Sequence, residues 1–135
     1  RKADWTVLEG VLPTIEESVV DLALRIAEHL ASEGNGRQAA WALRRGLLVS
    51  PFDERLYRSL LRAADLQGNP AGVERVMSEL VHLVTSEIVG TPSQIGRPDV
   101  LPLSGLGAVH PDTATLYRSL SRRRSSATGG ATTTR

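Results

Sequence analysis

The sequence predicts an all-α domain, a tetratricopeptide-like right-handed helical repeat with two helix pairs and a C-terminal capping helix. Two Gly-Asn pairs, Gly34-Asn35 and Gly68-Asn69, stand 34 residues apart, which is the period of that helix–turn–helix repeat. Apolar residues recur at three- and four-residue spacing between these turns. A Leu-Tyr-Arg-Ser-Leu run at residues 56–60 also recurs at residues 116–120. Because such arrays are normally docking surfaces, this pattern predicts a binding module rather than an enzyme.

The composition agrees with packed helices. The chain has 135 residues, enough for one domain with a modest core. It holds one Phe, two Trp and two Tyr, so the core must consist of Leu, Val, Ile and Ala. The absence of Cys excludes disulfides and thiolate metal sites, and no apolar run reaches the roughly 18 residues of a membrane span.

The first predicted helix pair follows a lead-in segment. We expect residues 1–13 to form this segment, with a short extended piece around Trp5–Leu8. Thr14 and Glu17 match a capping box that begins the first helix. An apolar stripe follows and ends at Gly34; its members are Val19, Leu22, Ala23, Ile26, Ala27 and Leu30.

The second helix is predicted from about Arg37 to Val49, because Ser50 precedes a proline and is disfavoured in the helical region. Asp53 is a suitable N-cap for the third helix, which Gly68 closes. Pro70 fits the first turn of a fourth helix that runs to about Ile88.

The C-terminal third has less periodicity. Residues 90–109 contain four Gly and three Pro, which predicts an irregular loop. Pro111 begins a fifth helix that we expect to end near Arg124, so the helical domain spans residues 14–124. The Ser-, Thr- and Gly-rich segment 125–135 is predicted to be disordered.

Two helix pairs are fewer than the three units that such arrays usually need. We expect the fifth helix and the lead-in segment to cover the two ends, or another surface to do so. That other surface is a second copy of the chain or another region of the protein.

Charge is distributed unevenly. Residues 118–135 carry five Arg and no acid, whereas residues 1–117 carry 11 basic and 15 acidic side chains. An acidic body with a basic end differs from the basic stripe of a DNA reader, so this pattern disfavours nucleic-acid binding by the domain alone. Arg122, Arg123 and Arg124 form either a weak contact with an anionic surface or a solubilising helix end that favours the helix dipole.

The run from Ala40 to Tyr57 resembles the central signature of the bacterial transcriptional activator domain. That signature is an apolar helix, a proline, and then Asp/Glu-Arg-Leu at the start of the next helix. Gly68-Asn-Pro70 and Val109-His-Pro-Asp-Thr113 resemble its two later landmarks. The resemblance covers about residues 15–120.

This resemblance implies a tetratricopeptide-like domain for protein–protein contact or self-association, in the C-terminal part of a larger bacterial regulatory protein. In actinobacterial regulators the domain lies beside a separate winged-helix DNA-binding domain, and no winged-helix segment is present here. Similar domains occur in envelope-associated proteins, which implies an alternative role as a docking or scaffold module. Both roles imply a cytoplasmic location, free or as a domain of a membrane-anchored protein. Residues 91–108 replace a connection that is short in most members.

Four side chains are predicted to bind a protein partner on the concave face formed by the odd-numbered helices. Arg55, Arg58 and Arg62 lie on one stripe of the third helix, where they could clamp an acidic peptide, and Tyr57 lies beside them. The alternative is a solvated face that acidic neighbours balance. Trp41 on the second helix is either a core residue or an anchor for a partner.

No catalytic, metal or cofactor site is predicted, and no small-molecule substrate is evident. His29, His82 and His110 lie on three different segments without metal-ligand spacing. Gly105-Leu-Gly107 lacks the third glycine and the preceding strand of a dinucleotide site.

Overall fold

The computed structural model describes residues 3–89 and 107–129, and the long regular elements in this part of the chain are all α-helices. They are α1 (Ala3–Ser32), α2 (Gly36–Val49), α3 (Glu54–Leu66), α4 (Pro70–Val89) and α5 (Pro111–Gly129). Each of the first three packs against the next, and α3 also contacts α1 and α5. The predicted all-α class is therefore confirmed, with α3 at the centre of the fold.

The two Gly-Asn turns have the same geometry. Gly34 and Gly68 have φ angles of +78° and +62°, in the left-handed region where glycine carries no Cβ penalty. The N–H groups of Asn35 and Asn69 donate to carbonyls five residues back at 2.8 and 3.0 Å, as in a Schellman motif. Each asparagine side chain then caps the next helix by accepting from a backbone N–H, that of Gln38 at 3.4 Å or Gly72 at 3.0 Å.

The core lies where α3 meets its neighbours. Its fully buried side chains are Val20, Leu43, Leu56, Leu60, Leu61, Val73, Met77 and Leu80. Close approach of α2 depends on Gly46, where an added Cβ would lie 3.0 Å from Ala23 Cβ and 3.1 Å from Leu56 Cδ2. Ala27 and Ala39 are also buried, as small residues between paired helices should be.

The first helix begins earlier than expected. Helix α1 starts at Ala3, so the expectation of an extended piece at Trp5–Leu8 and of a helix start at Thr14 is wrong. Pro13 lies inside this helix, and because proline has no backbone N–H it cannot donate a helical hydrogen bond there. The Thr14 carbonyl accepts a hydrogen bond from Ser18 Oγ at 2.8 Å, within the helix.

The fifth helix ends later than expected. It continues to Gly129, so the prediction of disorder is wrong for residues 125–129. Residues 130–135 and most of the predicted loop, residues 90–106, lie outside the described part. The end of the predicted loop forms a short 3₁₀ turn at residues 107–108, and Val109 is buried in the core cluster.

Candidate docking surfaces

A hydrogen-bonded network attaches the N-terminus of α5 to α3. The Glu54 carboxylate accepts from the His110 backbone N–H at 3.0 and 3.1 Å and from the Thr113 hydroxyl at 2.8 Å. Arg58 Nη1 donates to Thr113 Oγ1 at 3.2 Å. Thr113 is fully buried. Arg58, one of the predicted binding residues, therefore contributes to holding α5 in place.

The middle and end of α5 attach to α4. The Tyr117 hydroxyl donates to Glu74 Oε2 at 2.7 Å, and burial together with this carboxylate raises the pKa of Tyr117. Arg124 Nη1 lies 3.5 Å from Glu74 Oε1 and donates to the Pro70 carbonyl at 3.4 Å. Arg122 and Arg123 are exposed. The three arginines at the end of the helix are thus divided between an intramolecular contact and solvent.

Arg55 joins α3 to α1. Its Nη2 lies 3.0 Å from Glu17 Oε1 and 2.7 Å from Asp53 Oδ2, and its Nη1 lies 3.6 Å from Asp21 Oδ1. The hydrogen bonds with Asp53 and Glu17 raise the pKa of Arg55. Burial alone would raise the pKa of Asp53, but hydrogen bonds from the Arg55 side chain and backbone N–H outweigh it and lower that pKa. Three carboxylates therefore already surround this predicted binding residue.

The other two predicted residues of the concave face differ from each other. Tyr57 is buried in the core cluster, and this burial, with the charge of Glu79, raises the pKa of its hydroxyl. Arg62 is exposed. Of the four residues predicted on this face, Arg62 is exposed, Arg55 and Arg58 are half-buried and Tyr57 is buried, so the four do not share one open surface.

Trp41 lies on the surface of α2, with 63% of its area exposed. The guanidinium carbon of Arg45 lies 4.9 Å from the centre of the indole ring, within the range of a cation–π contact. The interpretation of Trp41 as a core residue is wrong, and its role as a partner anchor stays a prediction.

Trp41 forms part of an apolar cleft between α1 and α2, which we call the α1–α2 cleft. Its volume is about 570 Å³. The residues that line it are Val19, Leu22, Ala23, Ile26, Leu30, Gln38, Trp41, Ala42, Arg45 and Gly46. Leu22 and Ile26 are 58% and 43% exposed, although they belong to the apolar stripe that the sequence predicts.

The 34-residue spacing of the two Gly-Asn turns allows this stripe to be compared with the second helix pair. Positions 34 residues later in the second helix pair are Leu56 for Leu22 and Leu60 for Ile26, and these are 0% and 2% exposed. Helix α2 packs on α3, with Gly46 of α2 close to Leu56. Within the described part of the chain no helix takes the corresponding place over α1. The α1–α2 cleft is therefore the uncovered counterpart of a packed surface.

Large apolar side chains are also exposed elsewhere on these two helices. Further large apolar side chains that are at least 38% exposed lie on α1, on α2 and in the turn that follows: Val11, Ile15, Leu48, Val49 and Phe52. One such side chain, Leu66, lies at the end of α3. An exposed apolar area of this kind marks an interaction site more often than a solvated surface.

The described residues provide little for other kinds of site. They contain no group of His, Asp and Glu side chains that could hold a metal ion. His29 instead lies 3.6 Å from Glu33 on the surface of α1. None of the described helices is both long and apolar enough to cross a membrane.

No family model matches this sequence, and comparisons with curated proteins and with solved structures found no significant match.

Proposed function

We propose that this chain is a non-enzymatic protein–protein interaction module that docks its partner in the α1–α2 cleft. The observation that carries the proposal is the contrast between Leu22 and Leu56. The two leucines occupy equivalent positions of the repeat, yet the first is 58% exposed and the second is buried. Burying such a side chain contributes roughly 1.5–3 kcal/mol, so a partner that covers the cleft gains free energy from several such contacts.

We further infer that the four N-terminal helices form two tetratricopeptide-like units and that α5 caps the second. The matched turns at Gly34-Asn35 and Gly68-Asn69 support this arrangement, as does the packing of each helix on the next. In such an array each unit buries its apolar face against a neighbour. The first unit has no neighbour on its outer side within the described residues, and this favours docking there.

The α1–α2 cleft is better suited to docking than the predicted concave face. Arg55 is engaged by acidic residues of α1 and of its own cap, and Arg58 is engaged by Thr113 of α5. A partner would have to compete with these contacts. Trp41, by contrast, lines the cleft and presents an exposed aromatic surface of the kind that dominates binding energies at interfaces.

The resemblance to the bacterial transcriptional activator domain supports a place for this module in a larger bacterial regulator. There it would hold subunits or domains together. A scaffold module of an envelope-associated protein would use the same cleft, so both roles share the mechanism that we propose.

A second candidate function is contact with an anionic surface through the end of α5. The observation that favours it is the exposure of Arg122 and Arg123 on a helix that extends beyond them to Gly129. Two arginines contribute roughly 1 kcal/mol each near such a surface, so this contact would be weak and sensitive to salt.

The test compares the wild-type chain with Leu22→Glu in the cleft and with Leu66→Glu, a matched exposed leucine outside it. Self-association is measured by sedimentation velocity, and partner capture by affinity purification from a bacterial lysate. We expect the wild type and Leu66→Glu to associate with a second copy or to retain the same protein, and Leu22→Glu to lose that association. Equal behaviour of all three chains, with unchanged circular dichroism, would contradict docking in the cleft.

A further inference from the structure

The way α2 covers the second unit indicates what would cover the first. Ala39, Leu43 and Leu47 follow one another at four-residue spacing on the buried face of α2, and they are 1%, 0% and 9% exposed. Gly46 lies between them and brings the helix close to Leu56. A helix with one small residue and two leucines at this spacing is therefore complementary to the surface of the second helix pair.

The first unit presents a similar surface with more room. Leu22 and Ile26 stand where the second unit has Leu56 and Leu60. Ala23 and Gly46 stand where it has the larger Tyr57 and Leu80, which is consistent with a cleft volume of about 570 Å³. Leucine side chains of a docked helix would fill this volume.

The charge at the rim differs in sign between the two units. In the second unit Glu79 forms a bidentate ion pair with Arg44 of α2. Arg44 Nη2 lies 3.1 Å from Glu79 Oε1, and Arg44 Nη1 donates to Glu79 Oε2. The residue equivalent to Glu79 in the first unit is Arg45, which lines the α1–α2 cleft. Among the described residues no carboxylate lies within ion-pair distance of Arg45. An acidic residue is therefore the complementary group at the position that Arg44 occupies on α2.

We propose, on the basis of the function proposed above, that the α1–α2 cleft binds an amphipathic helix of a partner protein with a defined pattern. The helix carries a small residue, then a leucine four positions later, an acidic residue directly after that leucine, and a second leucine four positions after the first. The small residue and the leucines enter the cleft, and the acidic residue pairs with Arg45.

A second copy of the chain does not supply this helix. Its α2 carries Arg44 where the pattern requires an acid, and the apolar face of that α2 is already buried against α3. A two-fold pairing of two α1–α2 clefts would be a different mode of association, and the experiment below distinguishes it.

The probe is a fluorescently labelled peptide with the sequence of residues 35–50, which includes α2 and its caps, carrying Arg44→Glu. The control is the same peptide with Arg44 retained. Each is titrated into the full chain and followed by fluorescence anisotropy. We expect the Arg44→Glu peptide to bind roughly three- to tenfold more tightly, because an attractive contact with Arg45 replaces a repulsive one.

Charge reversal in the chain completes the test. Arg45→Glu should invert the preference, so that the peptide with Arg44 binds more tightly. Arg37→Glu, which changes an exposed arginine of α2 outside the cleft, should leave the preference unchanged. Leu22→Glu should abolish binding of both peptides.

Two results would overturn the proposal. Equal affinity of the two peptides, unaffected by Arg45→Glu, would show that the charge of the peptide residue at position 44 does not affect binding to the cleft. If neither peptide binds but Leu22→Glu abolishes self-association or partner capture, the cleft is a docking surface for a different occupant. In that case the proposed function stands and the helix pattern is wrong. If Leu22→Glu changes neither self-association nor partner capture, the proposed function itself fails.

Discussion

The hydroxyl of Thr113 donates a hydrogen bond to Glu54 Oε2 at 2.8 Å, and this bond links the first turn of α5 to the first turn of α3. The Thr113 hydroxyl also accepts a hydrogen bond from Arg58, so it is hydrogen-bonded to two charged side chains. Thr113→Val keeps the side-chain shape but removes both contacts. We expect a loss of about 1–3 kcal/mol in the free energy of unfolding, because Glu54 and Arg58 then lose a partner at a buried site. Urea denaturation followed by circular dichroism measures it.

Thr115→Val is the matched control for this change. Thr115 lies on the same turn of α5 but is exposed, so its substitution should alter the free energy of unfolding by no more than about 0.5 kcal/mol. Equal effects of the two substitutions would show that helix propensity, rather than the contact with Glu54, determines the loss.

Two leucines that lie 34 residues apart, Leu22 and Leu56, should respond differently to truncation. Leu56→Ala removes a fully buried side chain at the centre of the core and should cost about 2–5 kcal/mol. Leu22→Ala, 34 residues earlier, removes a side chain that is 58% exposed and should cost less than about 1 kcal/mol. Denaturant titration of the dilute chain measures both. Similar costs for the two substitutions would mean that Leu22 is covered in solution.

Replacing either of the two glycines with positive φ should lower the free energy of unfolding by a similar amount. Gly34→Ala and Gly68→Ala each place a Cβ at positive φ, so we expect each to lower the free energy of unfolding by roughly 1 kcal/mol. Steric crowding is not the cause, because a Cβ added at either glycine would have no neighbouring atom within 4 Å. Gly107→Ala is the control, since its φ lies outside that region and its surroundings are also open. Thermal melts of the three variants give the comparison.

The charge of Asp53 should stabilise the fold in a defined pH range. Its pKa in the folded state lies below the ordinary value of 3.8, so the ionised form contributes stability above that value. This contribution is lost as the pH falls through the folded-state pKa. Asp53→Asn keeps an oxygen that can cap α3 but has no charge to pair with Arg55. Because Arg55 is partly exposed and solvent screens its charge, we expect the wild type to be more stable by less than about 1 kcal/mol above about pH 5, and the difference to disappear in more acidic solution.

Free energies of unfolding for the two chains at several pH values between neutral and acidic test this expectation. A difference that stays constant over the whole range would show that the cap geometry, which both side chains share, accounts for the effect.

The exposed arginines at the end of α5 lead us to predict binding to anionic membranes. If Arg122 and Arg123 contact anionic surfaces, binding of the chain to vesicles that contain anionic lipid should fall steeply with added salt. Arg122→Gln/Arg123→Gln should remove both the binding and its salt dependence, and vesicle co-sedimentation measures this. Arg124 is retained in that variant because it contacts Glu74 and Pro70. Binding that persists in the variant would contradict this role.

Much of the fold was predictable because its signals are local. The Gly-Asn turns, the Asp53 cap and Pro70 at the start of α4 depend on residues that are close in sequence, and the structure has each where the pattern places it. The start of α1 was not predictable in this way. Pro13 resembles a helix boundary because proline lacks a backbone N–H, yet α1 continues through it.

The candidate site was harder to predict than the fold. An apolar stripe with helical spacing indicates which side of α1 is apolar, but not whether another helix covers it. That depends on which element packs there, a long-range property. The available signal was the prediction of only two repeat units, because an array of two units leaves an outer face without a neighbour. Arg55 and Arg58 show the same difficulty, because Glu17 and Thr113, which engage them, lie 38 and 55 residues away.

The position of α5 has a consequence for stoichiometry. Growth of a filament requires two different complementary faces on each molecule, one to receive and one to be received. In the described part of this chain, most of the exposed large apolar side chains lie on α1 and α2, whereas α5 packs against α3. Association through the cleft would therefore stop after a single event, and the resulting complexes would be discrete pairs rather than open-ended polymers.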